Sequence, residues 1–143
     1  MIRKMRNTEE EIQAVMNIWQ EATIKAHPFI PEDYWKKNYS LVKETCLPLS
    51  ITYVYEEEKR VKGFISILAK KYVGALFVGN DYQNQGIGKQ LLEYVGKLHH
   101  PLTLSVYKKN ERALQFYLNN GFQLGELDKN EDTGEEEYTL QSV

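Results

Sequence analysis

Residues 83–92 read QNQGIGKQLL: two glycines one residue apart, a lysine, and then an apolar run at helical spacing. Glycines so placed let the backbone approach a ligand closely. The first N–H groups of a helix have no partners within it, and the helix N-terminus favours an anion. The chemistry on offer is phosphate binding, and three patterns compete for it. A nucleotide P-loop needs G-x-x-x-x-G-K-[ST]. Here Gln83 stands in the first glycine position and Gln90 replaces the magnesium-binding hydroxyl, which excludes that reading. A dinucleotide fingerprint needs G-x-G-x-x-G. Gly86 and Gly88 fit, but Leu91 takes the third place, and the loop follows several strands instead of opening the chain. The third pattern is Q-x-x-G-x-G between a strand and a helix. Taken alone, it is also compatible with an ordinary strand-to-helix turn.

The elements that must position this loop can be read from spacing. Residues 2–6 suggest a short strand. Thr8 is placed as an N-cap with Glu11 as capping-box partner. Ile12, Val15, Met16 and Trp19 then recur at helical spacing up to about Ala26, where His27-Pro28 disfavours continuation. Pro31-Glu32-Asp33 opens a second helix, and Leu47-Pro48 closes it. Residues 51–55 and 61–68 predict a hairpin around EEEKR. Residues 73–78, nearly all apolar, predict a strand buried on both faces. The loop follows, then a helix with Leu91, Leu92, Val95 and Leu98 on one side. Leu102–Tyr107 alternates as a strand. Asn110 is placed to cap a helix carrying Ala113, Leu114, Tyr117 and Leu118, which Gly121 ends. Residues 122–127 and 136–140 form a last strand pair. The order β-α-α-β-β-β-α-β-α-β-β implies an α/β (α+β) fold: a mixed sheet with helices on both faces.

The chain's 143 residues suit a single domain spanning 1–143. A net charge of -2 gives no bulk drive toward nucleic acid or an anionic membrane. No apolar run approaches the ~20 residues that span a bilayer, and MIRKMRNTEEE lacks the apolar segment of a secretory signal. Cys46 is the one cysteine, so no intrachain disulfide forms, and a reducing, cytoplasmic setting is expected. No His and Cys cluster has metal-ligand spacing, so no metal is expected. His99-His100 before Pro101 reads as a helix end.

Two segments, LFVGNDYQNQGIGKQLLEYV (76–95) and LSVYKKNERALQFYLNNGF (104–122), resemble the GNAT superfamily of acyl-CoA-dependent N-acyltransferases. HPFI (27–30), Tyr34-Trp35, GFISI (63–67) and VYKKN (106–110) look closest to its small bacterial YiaC-type members, considered protein lysine acetyltransferases. The likeness covers nearly the whole chain and is most specific over 61–122. It implies the GNAT-type sheet, mixed and mostly antiparallel, with acetyl-CoA as acetyl donor. It also implies donor contacts at Gln83, Asn84, Gln85, Gly86, Ile87, Gly88 and Lys89 around the pyrophosphate. The backbone of Phe77 and Val78 would flank the pantetheine and acetyl group. Asn110, Ala113 and Tyr117 would lie near the pantetheine arm and the sulfur. The acceptor site would be lined by His27, Phe29, Tyr34, Trp35 and Tyr72.

Acetyl transfer to an amine needs a neutral nitrogen, a polarised carbonyl and a proton donor for the departing thiolate. Tyr117 lies seven residues after Asn110, on about the same helix face. Its phenol, with a reference pKa near ~10, is the donor the resemblance implies; a plain core tyrosine is the competing reading. The general base is open. The family often carries a glutamate on the strand before the loop, and here that stretch reads AKKYVGALFV with no acid. Tyr72 could position a water or pack on the acceptor's alkyl chain. His27 has an intrinsic pKa suited to a base, though its place also ends a helix. Residues 126–137 hold seven acids and one lysine, either a solvated hairpin or a rim for a cationic acceptor. The expected activity is direct N-acetylation of a primary amine, a protein lysine first and a small-molecule amine next, by a monomer or homodimer. A noncatalytic acyl-CoA sensor is the rival, and it has no use for Tyr117.

Overall fold

The computed structural model describes residues 1–143. Strand β1 (Ile2–Lys4) leads into helix α1 (Glu9–Ala26) and helix α2 (Glu32–Lys37). Strands β2 (Ile51–Glu57), β3 (Arg60–Leu68) and β4 (Tyr72–Val78) follow, then α3 (Ile87–Leu98), β5 (Thr103–Tyr107), α4 (Glu111–Asn119), β6 (Phe122–Lys129) and β7 (Glu136–Ser142). The seven strands form one sheet in the order β1-β2-β3-β4-β5-β7-β6. Every pair is antiparallel except β4 with β5. The β2–β3 turn carries Glu58 and Lys59 at φ 56° and 62°, the left-handed pair that a tight hairpin between twisted strands requires.

Strand alternation divides the core into two layers. On β3, Ile65 and Ile67 face α3 and share a core with its Leu91 and Val95, with Leu104 of β5 and with Leu140 of β7. Phe64 points the other way and packs with Val15, Met16, Trp19 and Val54 under α1. Each fully buried side chain of this kind contributes about 1.5–3 kcal/mol. Gly63 sets the approach of α3 to the sheet. A Cβ there would stand 3.1 Å from both Ile87 Cγ2 and Phe77 O, so a larger residue would lift the first turn of α3 and the loop ahead of it.

Four expectations are corrected. Thr8 caps α1 by accepting from Glu11 N, but Glu11 does not complete the box. Its carboxylate accepts instead from Arg6 N and both terminal nitrogens of Arg3, a stronger, charge-assisted set. The second helix is broken. After α2 come a short turn at Tyr39–Leu41, a wider π turn at Val42–Cys46 and a last helical turn at Leu47–Leu49, so Leu47-Pro48 lies inside that turn. Leu98, 56% exposed, lies off the buried face of α3. Finally, β4 is not buried on both faces: of its residues only Val73 is, because the neighbouring strand departs. β4 and β5 share one register pair, Tyr72 with Thr103, and then splay.

Candidate active site

The loop between β4 and α3 is held from several sides. Gln83 donates to Val78 O at 3.1 Å, closing the end of β4, and accepts from Lys25 Nζ at 3.3 Å. Asn84 (φ 65°) and Gly86 (φ 79°) both adopt left-handed backbone. Arg112, in the first turn of α4, donates to Asn84 Oδ1 across the cleft. Gly86 caps α3 with no side-chain bond, so the first N–H groups of a 12-residue helix are left for an anion. A Cβ on Gly88 would reach only ordinary contact with Phe116 and Val78, at 3.7 and 3.8 Å. Protein packing therefore does not demand glycine at 88; the added carbon would fill the cleft.

That cleft has a volume of about 820 Å³ and opens where β4 and β5 part. Its walls include Phe77, Val78, Gln83, Asn84, Gly86, Ile87, Gly88, Lys89, Asn110, Ala113 and Tyr117, all anticipated from sequence. Gln85 is exposed and lies off the wall. Lys25, Lys109 and Arg112 join Lys89 as lining cations, with Glu111 as the one lining acid. The set suits a polyanionic, partly apolar ligand such as coenzyme A. Gly79 N donates to Lys62 O on β3. Alternation along an antiparallel ladder then turns the N–H groups of Leu76 and Val78 toward the gap and that of Phe77 toward β3. Of the two residues expected to flank the thioester through their backbone, Val78 thus offers its amide, and Phe77 lines the cleft without it.

Tyr117 is 8% exposed, with its ring 5.1 Å from Phe116 and 5.4 Å from Phe122. It serves the core and lines the cleft at once. Burial, and then the nearby Tyr72 phenol, push its own phenol above the usual tyrosine range, so it is protonated at neutral pH. Tyr72 does not line the donor cleft. Its hydroxyl donates to Ser105 Oγ at 3.2 Å, bridging β4 and β5 at the floor of the gap.

Four of the five expected acceptor residues gather on the α1–α2 side; Tyr72, on β4, does not join them. His27 stands at the end of α1, 5.0 Å from Trp35, 5.3 Å from Tyr107 and 5.7 Å from Phe29, ring to ring. Tyr34 meets Trp35 edge-on at 5.0 Å. Trp35 Nε1 is the protein's one buried side-chain nitrogen or oxygen without a hydrogen-bond partner. Such a donor costs about 1–3 kcal/mol when left unpaired. The acidic hairpin closes on this group: Asp132 and Glu137 add to burial in raising the Tyr34 and Tyr107 phenols, and Lys109 bonds Glu135 at 3.0 Å. It contacts this group, while most of residues 126–137 stay exposed to solvent.

Sequence reasoning missed Lys25, Arg112 and Phe116. Once Asn110 is an N-cap, Arg112 must sit in the first turn of α4, a signal that could have found it. Nothing local marks Lys25, which reaches the loop only through the docking of α1.

Residues 48–124, more than half the chain, match the family profile described as acetyltransferase (GNAT) domain. The chain is 37% identical over 124 residues to the peptidyl-lysine N-acetyltransferase YiaC of Escherichia coli (strain K12), covering 87% of this chain and 84% of that one. It is 28% identical to the peptidyl-lysine N-acetyltransferase YjaB of Salmonella typhimurium, over 94% and 92% of the two chains. The solution structure of apo-form YjaB from Escherichia coli superimposes with a TM-score of 0.83 at 25% identity, over 100% and 98% of the chains. The PaiA N-acetyltransferase of Thermoplasma acidophilum, crystallised with coenzyme A, shares the fold at TM-score 0.82 and 20% identity, over 99% and 98%.

Proposed function

The chain belongs to the GNAT acetyltransferase family, and we propose that residues 1–143 act as one domain that moves the acetyl group of acetyl-CoA directly to a protein lysine. The observation that carries this reading is the gap between β4 and β5, with a phosphate-ready helix end on one side and a cluster of aromatic rings edged by acids on the other. Acetyl-CoA supplies a thioester carbonyl on a polyphosphate handle. The α3 N-terminus, with Lys89 and Arg112 beside it, holds the phosphates. The free Val78 N–H faces the carbonyl oxygen and polarises it. Asn110 and Ala113 border the pantetheine arm. Tyr117 donates to the sulfur as it takes on charge.

The lysine side chain enters over His27, Phe29, Tyr34 and Trp35. Asp132 and Glu137, beside the Tyr34 and Tyr107 phenols, attract it as an ammonium, and it attacks after losing a proton to water. Tyr72 holds the floor beneath it. The C–N bond forms as the C–S bond breaks, and no cysteine carries the acetyl group between. The similar YiaC and YjaB proteins are named peptidyl-lysine N-acetyltransferases, which supports lysine as acceptor. The test is mass spectrometry of a cell extract incubated with the protein and isotope-labelled acetyl-CoA. Labelled acetyl-lysine on proteins, absent with Gly86→Glu, is the expected result. Label on small amines alone would move the acceptor class. Binding of acetyl-CoA without any transfer would favour a sensor, a reading to which the acid-free β4 lends some weight.

A further inference from the structure

The contacts of one buried imidazole connect the aromatic cluster on the acceptor side to the donor cleft. His27 Nδ1 lies 2.7 Å from Thr23 O, an acceptor that can only be met by an N–H. That bond fixes the proton on Nδ1 and leaves Nε2 with its lone pair. Nε2 faces Asn110 Nδ2 at 3.5 Å. Asn110 Oδ1 in turn accepts from Ala113 N at 3.2 Å, capping α4. Both ends of the Asn110 amide are thereby assigned: oxygen to the helix, nitrogen to His27. Asn110 and Ala113 line the donor cleft, while the His27 ring packs on Trp35, Phe29 and Tyr107 of the acceptor side.

We propose that His27 is a positioning residue of the donor site, its neutral Nε2 holding the Asn110 amide so that the first turn of α4 presents Asn110 and Ala113 to the pantetheine arm. The inference rests on the acetyltransferase reading and names a residue that serves it. An Nε2–H would meet the N–H of Asn110 donor to donor, and the amide would have to turn, uncapping α4. The titratable side chain packed against the ring is Tyr107, with Tyr34 one ring beyond. The nearby cations are directed elsewhere, Lys25 to Gln83 and Lys109 to Glu135. Burial alone favours the neutral ring and pushes its pKa down, only partly offset by the bond to Thr23 O.

The experiment follows the His27 ring by NMR across pH, with and without saturating coenzyme A, using His27→Gln to assign its signals apart from His99 and His100. Because binding requires the neutral ring, coenzyme A should lower the His27 midpoint. Calorimetry should show wild-type affinity falling, relative to His27→Gln, by about tenfold per pH unit below that midpoint; the ratio cancels titration of the cofactor's own phosphate. His27→Leu, which offers no acceptor, should bind coenzyme A about tenfold more weakly at neutral pH while still melting cooperatively. An unmoved midpoint, or normal coenzyme A affinity in folded His27→Leu, overturns the proposal. Turnover lost in His27→Gln at unchanged affinity also overturns it and assigns His27 to the acceptor side. No coenzyme A binding by the wild type would instead overturn the acetyltransferase reading and this inference with it.

Discussion

Replacing Tyr117 with Phe removes one oxygen and keeps the ring, and the ring is what packs against Phe116 and Phe122. A hydroxyl's net hydrogen-bond contribution is about 0.5–1.5 kcal/mol, so stability should move by no more than that. The kinetic effect should be larger, and its size follows from the raised phenol pKa. A thiol has a reference pKa near ~8.5, so full proton transfer from Tyr117 to the thiolate is uphill, by about 1.4 kcal/mol for each unit between them. Tyr117 then works chiefly by donating a hydrogen bond to the sulfur as charge develops, and the amine's own proton finally neutralises it. A charge-assisted bond lost from the transition state is about 1.5–3 kcal/mol, or roughly 10- to 10²-fold. That is the lower end of what a positioned acid contributes. Turnover should therefore fall by about 10²-fold at nearly constant KM for acetyl-CoA. Melting, acetyl-CoA calorimetry and steady-state turnover on one preparation test this together. Near-normal turnover in a folded variant would remove Tyr117 from the chemistry. A loss of melting temperature with normal turnover would leave it a core residue only.

Gly86→Glu forces a side chain and a negative charge onto a left-handed position at the head of α3; acetyl-CoA binding should be abolished, and unchanged calorimetric affinity in the folded variant would refute the loop assignment. Turnover should rise about tenfold per pH unit toward the lysine reference pKa near ~10.4, because the amine must be neutral and the raised Tyr117 phenol keeps its proton over that span. A rate peaking near pH 6 would point to His27 as base. Glu11 is held below the usual carboxylate range, first by its hydrogen bonds from Arg3. Its contribution to stability is therefore present above the unfolded pKa near ~4.3 and lost as pH falls through the folded value. Glu11→Gln should cost about 1–3 kcal/mol at pH 7, and its melting-temperature gap to wild type should close in acid.

Local chemistry is written plainly in this chain. The cap at Thr8, the hairpin around EEEKR, the Asn110 cap and Gly121 past the end of α4 each depend on neighbours within a few residues, and spacing alone places them. The loop of Gly86 and Gly88 belongs here too, because a helix N-terminus carries its anion site wherever the helix goes. The segment after α2 misled because Pro31-Glu32-Asp33 and Leu47-Pro48 mark only the ends of a helix, and the wider turn at Val42–Cys46 between them has no signature of its own. Tertiary structure decided what depends on long-range pairing. β4 reads as fully buried because its residues are apolar, yet β5 leaves it after Tyr72 and Thr103, and that departure makes the cleft. Lys25 reaches the loop 58 positions on, and His27 meets Asn110 across 83. No periodicity encodes such distances. They follow from the docking of α1 on one face of the sheet and α3 and α4 on the other, so the residues that could bind were legible one by one, and their meeting was settled by the packing that brings the two faces to a single gap.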